Sequence, residues 1–242
     1  MEKVEVSVIL PMFNEADSIE NCVHMVKSAL ESFSRSYEII IAEDGSTDKT
    51  SEKARKLAAG DERIIHLHSA TRLGRGEALK RAIERSKGQV VSYVDADLSV
   101  DPASLKRLIN TARGVGGMST GSRLIKGSVV KRYMLRKLLS NCYNLIVRFL
   151  FHDGVNDHQC GFKAFTRSLL ENVHAENGGW IWDTEMIVRA KSLGYVIREI
   201  PIRCTDMRGS DKSKVKVLPD AVKMWSQVFR LRLKLDRESD RP

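Results

Sequence analysis

The stretch VVSYVDADLSVDP, Val90 to Pro102, runs a β-branched apolar segment straight into two carboxylates, Asp95 and Asp97. A short apolar run bounded by turn residues reads as a buried strand. Its abrupt end in Asp95-Ala96-Asp97 reads either as a polar loop or as a pair of metal ligands. Which of the two holds depends on what the rest of the chain brings to the same edge.

Upstream of this stretch the sequence alternates. VEVSVILPMF reads as a strand. A helix follows from about Glu15 to Phe33, with Ile19, Val23, Val26 and Leu30 at helical spacing. YEIIIAED, Tyr37 to Asp44, is a second strand. GSTDKTSEKARKLAA turns into a second helix, capped by Ser46, Thr47 or Asp48. RIIHLHS is a third strand, GRGEALKRAIERSKG a third helix and QVVSYVDAD a fourth strand. Near-continuous apolar strands with intervening helices imply a mostly parallel sheet covered on both faces. Right-handed crossovers make this a Rossmann-like α/β unit.

The second half is less regular. GGMSTGSR reads as a strand and turn, Lys131 to Phe151 as a long amphipathic helix, and HQCGFKAF as a motif of its own. A helix from Trp182 to Leu193, the strand YVIREIPI, a polar loop CTDMRGSDKSK and a helix from Val217 to about Leu233 complete the chain. The economical division is one domain over residues 1–215 and a basic amphipathic helix and tail over 216–242.

Composition narrows the function. The 242 residues are 42% hydrophobic, enough for one sizeable core and against disorder. Met1-Glu2-Lys3 leads directly into a strand, so no secretory leader is expected. Cys22, Cys142, Cys160 and Cys204 show neither CxxC nor zinc spacing, which suits reduced thiols in the cytosol. His66 and His68 alternate along a strand and read as structural. The net charge of +9 is unevenly placed, because Pro102 through His152 contains no Asp or Glu but ten Lys and Arg. Nucleic acid, an anionic membrane surface and phosphorylated substrates all match such a field.

In open α/β sheets, ligands gather at the carboxyl ends of the strands. Four such ends here carry polar clusters: Pro11-Met12-Phe13-Asn14-Glu15, Glu43-Asp44-Gly45-Ser46, Asp95-Ala96-Asp97 and Gly121-Ser122-Arg123. Carboxylates crowded on one rim repel one another unless a cation or donors compensate. Mg²⁺ or Mn²⁺ shared between carboxylates and substrate phosphates is the usual arrangement.

The segments PMFNE, EDGSTDKT, LGRGEALKRAI, DADLSVDP, GSR, DHQCGFKAF and WDTEM occur in that order. Together they resemble family 2 glycosyltransferases, most closely the branch that acts on polyprenyl phosphates, the dolichyl-phosphate glucosyltransferases and dolichol-phosphate mannose synthases. The resemblance spans about Val6 to Lys214. It implies a glycosyltransferase A-type fold and inverting transfer of a hexose from a nucleotide sugar to a polyprenyl or dolichyl phosphate. UDP-glucose is favoured over GDP-mannose.

The resemblance also implies residue roles. Pro11, Phe13, Glu15 and Asp44 would hold the nucleotide. Asp95, Ala96 and Asp97 match the DxD motif. Asp97 would bind Mg²⁺ or Mn²⁺ directly, and Asp95 would contact the ribose or the metal shell. Ser99 stands where mannose synthases often carry Gln, so it would be the third metal-shell position and weighs against mannose. Arg123, Arg136 and Ser140 would grip the acceptor phosphate. Arg208 and Lys214, with Ser213, match a loop near the diphosphate. Asp157 would orient the acceptor or the sugar hydroxyls, while Asp183 and Glu185 are motif positions with Glu185 bracing the sheet. Asp97, Arg123 and Asp157 form the expected catalytic set.

The expected partners follow from these roles. They are a nucleotide sugar, a polyprenyl or dolichyl phosphate and an anionic membrane surface, with the protein peripheral on the cytosolic face. A membrane-anchoring subunit or a homo-oligomer is compatible with this. The competing readings are a family 2 enzyme with another acceptor and a non-catalytic basic module for nucleotides or nucleic acid. The second leaves the ordered motifs unexplained, so no nucleic acid is expected.

Overall fold

The computed structural model describes residues 3–206 and 217–239. Seven strands make one sheet: β1 (Val6–Met12), β2 (Tyr37–Glu43), β3 (Ile64–Leu67), β4 (Val90–Val94), β5 (Met118–Ser122), β7 (Phe162–Thr166) and β8 (Ile197–Pro201), in the order β3-β2-β1-β4-β7-β5-β8. All run parallel except β7, which lies antiparallel between β4 and β5. β6 (Val129–Arg132) and β9 (Arg203–Asp206) form a separate parallel pair.

The apolar spacing seen in the sequence explains the layers. β1 and β2 are buried almost throughout, as strands covered on both faces must be. On one face α1 (Ile19–Glu31) and α4 (Leu105–Val115) join Val8, Leu10, Ile39 and Ile41 in a core. On the other, α3 (Arg75–Arg85) and α7 (Trp182–Ser192) pack on Ile9, Ile40, Val91 and Tyr93. The two sets alternate along each strand, following the two-residue period. The short α2 (Thr50–Gly60) and α6 (Arg167–Asn172) flank the sheet. β1 pairs with β2 on one side and β4 on the other, so the chain winds away from β1 in both directions. That reversal opens a crevice at the carboxyl ends of β1 and β4.

A third apolar cluster joins α5 (Met134–Phe151) to α8 (Val217–Ser239) through Tyr143, Val147, Val228 and Leu231, with Ile181 beneath them. The C-terminal helix is therefore packed onto the domain.

Several expectations need correction. The first helix begins at Ile19, four residues later than the periodicity predicts, because Glu15 N–H and Ala16 N–H are held by Thr50 Oγ1 and Asp48 Oδ2. Ser46 and Thr47 do not cap α2. They bind Asn14 of the neighbouring loop after β1, and the Asp48 carboxylate takes the Thr50 N–H. The long helix begins at Met134, since Val129–Arg132 is drawn into a strand by Arg203–Asp206, itself read from sequence as loop. The sequence pattern gave no helix between the fourth and fifth strands, yet α4 spans Leu105–Val115 with Leu105, Leu108, Ile109 and Ala112 on its buried face.

A buried polar knot fixes the amino edge of the sheet. The Glu38 carboxylate on β2 accepts from Ser7 Oγ on β1 and from Lys87 N–H, both at 2.6 Å, and Ser7 Oγ also accepts the Gly88 N–H. Gly88 is there because a Cβ would stand 2.6 Å from Ser7 Oγ and closer still to backbone. Gly88→Ala is expected to cost about 1–3 kcal/mol through forced displacement, read as a lower urea midpoint with an unchanged m-value.

Candidate active site

A cavity of 330 Å³ sits over the crevice. Its walls come from every strand end that the sequence marked: Pro11, Phe13 and Glu15 after β1, Asp44 after β2, Asp95, Ala96, Asp97 and Ser99 after β4, and Arg123 after β5. Ser140 and Tyr143 of α5 and Met224 and Trp225 of α8 close the far side.

The wall formed after β1 and β2 is two loops laced together. Asn14 N–H donates to Ser46 Oγ at 3.0 Å, and Thr47 N–H donates to Asn14 Oδ1 at 2.8 Å. The EDGSTDKT segment is thus a set of short polar side chains that satisfy the backbone of the neighbouring loop. Asp44 is buried, and its carboxylate accepts the Leu73 and Gly74 N–H groups at 2.8 and 2.9 Å. It anchors the loop that leads into α3 while its surface lines the cavity. On that loop, Arg72 lays its guanidinium 3.9 Å over the Phe13 ring, a cation–π contact.

Arg75, the first residue of α3, is the centre of the electrostatics. Its Nη2 donates to Asp95 Oδ1 at 2.9 Å and its Nη1 to Asp183 Oδ2 at 2.6 Å. Asp183 also accepts from the Tyr93 hydroxyl and lies 3.2 Å from Lys163 Nζ. Burial alone would raise the Asp183 carboxyl, but Arg75 and Lys163 outweigh it and hold it below its ordinary value. Burial and the neighbouring Asp183 push the Tyr93 phenol far up, so it stays a donor. Asp95 is pressed against Gly161, where any Cβ would overlap its carboxylate.

Asp97 is half-buried on the cavity wall, and its Oδ1 accepts the Ser99 N–H at 2.9 Å. Asp97, Asp95 and Ser99 offer oxygen donors only. That set fits Mg²⁺ or Mn²⁺ and does not favour softer ions.

On the side of the cavity formed with α5, Arg123 is clamped from below by Asp157. Nε donates to Oδ2 and Nη2 to Oδ1, each at 2.7 Å, and the Arg123 N–H adds a third bond at 3.0 Å. Asp157 is fully buried and does not line the cavity, so it acts through Arg123. Nη2 also reaches Ser140 Oγ at 3.4 Å. Burial would lift the Asp157 carboxyl, yet the Arg123 guanidinium holds it well below the carboxylate range. Arg136 lies within α5, but its side chain is outside what the structure describes. Arg208, Ser213 and Lys214 fall outside the described residues.

Sequence reasoning missed several wall residues, among them Arg72, Arg75, Arg132 and Trp180. Arg75 stood inside the LGRGEALKRAI motif, and its charge at the start of a helix was the available signal. Glu185, expected as a brace, is fully buried and accepts from Asn177 N–H and Arg189 Nε. Arg189 in turn pairs with Glu238 of α8 at 3.0 Å. With Glu15, Asp44, Asp95 and Asp97 facing Arg72, Arg75, Arg123 and Arg132, the wall is balanced by arginines rather than crowded with carboxylates.

Comparison with known proteins shows the family and the fold. The sequence model of Glycosyl transferase family 2 matches residues 7–173. Glycosyltransferase AglD of Haloferax volcanii is 44% identical over 232 residues, which cover 94% of this chain and 37% of AglD. The chain therefore spans little more than a third of that relative. Dolichyl-phosphate beta-glucosyltransferase of Homo sapiens is 30% identical over 225 residues, covering 85% of this chain and 69% of the relative. Glucosyl-3-phosphoglycerate synthase of Mycobacterium tuberculosis, solved in complex with UDP, superposes with a TM-score of 0.69 at 20% identity. That match covers 96% of this chain and 79% of the other, and it establishes the shared fold.

Removing one partner of the Arg123–Asp157 pair leaves a buried charge. Asp157→Asn is expected to cost about 3–5 kcal/mol at pH 7, measured by urea denaturation. The pH dependence has a fixed sign. The folded carboxyl titrates below the unfolded value of about 3.9. Its stabilisation is therefore complete above that pH and is lost as pH falls below it. In Asp157→Asn the slope of stability against pH below about pH 4 should be shallower by about 1.4 kcal/mol per unit.

Proposed function

The chain belongs to glycosyl transferase family 2, and on that premise we propose that it transfers a hexose from a nucleotide sugar to the phosphate of a polyprenyl or dolichyl phosphate. UDP-glucose is the favoured donor. The observation that carries this reading is a cavity with two chemically distinct walls. Asp95 and Asp97 stand on the nucleotide side, and Arg123 and Ser140 on the side formed with α5. The similarity to dolichyl-phosphate beta-glucosyltransferases supports the same substrate class.

The chemistry assigns work to particular residues. Phe13, with Arg72 on its outer face, and Pro11 would flank the nucleoside, while Glu15 and Asp44 keep the two loops in place. Arg123 and Ser140 would receive the acceptor phosphate, and Arg136, four residues before Ser140 in the sequence, is the third residue proposed for it. A guanidinium held in place by a buried carboxylate offers a forked donor that needs little reorganisation. Asp157 serves as a positioning residue for that fork. Arg208 and Lys214 would add positive charge near the diphosphate. Asp97, with Asp95 and Ser99, would hold Mg²⁺ or Mn²⁺, and that ion when bound supplies charge stabilisation to the leaving diphosphate.

An acceptor phosphate oxygen forms the new bond to the anomeric carbon as the bond to the nucleoside diphosphate breaks, with inversion. The phosphate is already ionised near neutral pH, so no dedicated general base is required. Positioning and charge stabilisation carry the rate.

The outer face of α5 supports a lipid-borne acceptor. Met134, Leu138, Leu145 and Phe149 are all exposed, Leu145 at 67% and Phe149 at 73%. At 100° per residue they fall within about 60° of one another. Tyr133 beside them and Phe229 and Leu233 on α8 are exposed too, and Lys137 and Arg148 border the stripe along one side. An apolar stripe with a basic margin suits the interface of an anionic membrane. No helix among the described residues is long and apolar enough to cross one.

The decisive assay offers polyprenyl phosphate, Mg²⁺ or Mn²⁺ and a panel of nucleotide sugars, and scores lipid-linked sugar. Lipid-linked glucose from UDP-glucose is the expected product. No transfer from any donor by folded protein would overturn the reading. Asp97→Asn should lower kcat by at least about 100-fold, equivalent to about 2.7 kcal/mol, with unchanged circular dichroism. Leu145→Glu with Phe149→Glu should abolish flotation with anionic liposomes. Undiminished flotation of that double variant would remove α5 from the membrane contact.

A further inference from the structure

On the far side of β2 from the cavity wall, three metal-ligating side chains converge. Glu43 ends β2, His66 lies on β3 and His68 follows it. Parallel pairing sets Ile41 opposite His66, and the two-residue period turns His66 and His68 to the same side. One ligand atom from each of the three residues lies within 4.8 Å of the others. Glu43 Oε2 contacts His68 Nδ1 and stands 3.9 Å from His66 Nε2. The two rings are 5.8 Å apart and tilted, so neither stacks on the other.

His66 is the telling member. Its side chain is 10% exposed, and Nε2 is buried with no hydrogen-bond partner among the described residues. A buried ring nitrogen left in that state is costly. It is aimed at the same carboxylate oxygen that His68 touches. The remaining Glu43 oxygen accepts the Ser46 N–H, a bond that fixes the carboxylate's orientation. His68 is half-exposed, so an ion would have a path from solvent.

We propose that Glu43, His66 and His68 form a binding site for a divalent transition-metal ion, with Zn²⁺ the ion of choice. Two imidazoles and one carboxylate make a three-ligand set that leaves a fourth position for water. These nitrogen donors distinguish it from the oxygen-only set around Asp97. Binding replaces the hydrogen bond between His68 and Glu43, and its proton passes to solvent. The site lies next to the donor wall in sequence and space. Glu43 precedes Asp44, Ser46 holds Asn14, and His68 leads through Ser69 to Arg72 over Phe13. A bound ion would therefore tie β2, β3 and both loops of the nucleotide-side wall at one point. Its role is to hold that wall rather than to take part in transfer.

The test uses the full chain, stripped with a chelator and dialysed, then titrated with Zn²⁺ by calorimetry and with Co²⁺ by visible absorption. The expected result is a site of one ion per chain, seen with Co²⁺ as the intense bands of a four- or five-coordinate ion. His66→Ala and His68→Ala should each weaken Zn²⁺ binding by about tenfold or more, while Asp97→Asn leaves it unchanged. His68→Ala decides the matter if His66→Ala fails to fold, because His68 is half-exposed. Native affinity in the folded His68→Ala protein would overturn the proposal. So would absence of Zn²⁺ binding, or binding that is lost only in Asp97→Asn. In those cases Glu43 and His68 form a hydrogen-bonded pair and nothing more.

Discussion

The site is built around one buried cation. Arg75 ties Asp95 at the end of β4 to Asp183 at the start of α7. Taking the Arg75 guanidinium and the Asp183 carboxylate out of water costs several kcal/mol per ion unless each is paired and hydrogen-bonded, whereas the Asp95 side chain keeps 36% of its surface exposed. Here the pairing is complete: Arg75 and Lys163 against Asp95 and Asp183, with Tyr93 donating to Asp183. The arrangement does more than balance charge. It joins the DxD loop, the helix that follows the Asp44-anchored loop, and the helix of the WDTEM motif. Three sequence motifs far apart in the chain are held by one guanidinium.

The side of the cavity formed with α5 repeats the device with a different pair. Arg123 faces the cavity while a fully buried Asp157 holds it from behind. In each case a carboxylate removed from water fixes an arginine on the cavity wall. Such fixed charge suits phosphoryl-bearing substrates, since the protein pays for orientation during folding and not at each turnover. The carboxylate-rich rim inferred from strand ends thus becomes a wall of alternating sign. A divalent ion would meet Asp97 in a setting whose other carboxylates are already engaged with protein groups.

α5 has two apolar faces with different fates. Tyr143 and Val147 pack beneath α8, while Leu145 and Phe149 point outward. Periodicity alone identified the helix as amphipathic but could not separate these faces, because both are apolar. Packing by α8 separates them. The same contact brings Met224 and Trp225 to the cavity, so the C-terminal helix shapes the site as well as extending the domain.

The sequence by itself determined the alternating strands and helices of the first half and the parallel sheet they make. It also determined which loops stand at the carboxyl ends of β1, β2, β4 and β5. Each of these follows from local periodicity and from the direction imposed by right-handed crossovers. It placed Asp95, Asp97 and Arg123 on one rim for the same reason. Tertiary structure decided what no local pattern encodes. β7 enters antiparallel between β4 and β5, and Val129–Arg132 becomes a strand only because Arg203–Asp206 arrives beside it. The loops after β1 and β2 lock through Asn14, which delays the first helix to Ile19. Above all, Arg75 acquires its role only where residues 20 and 108 positions away meet it. Pairing of buried charges depends on distance in space, and a linear pattern carries no record of which partner will be there.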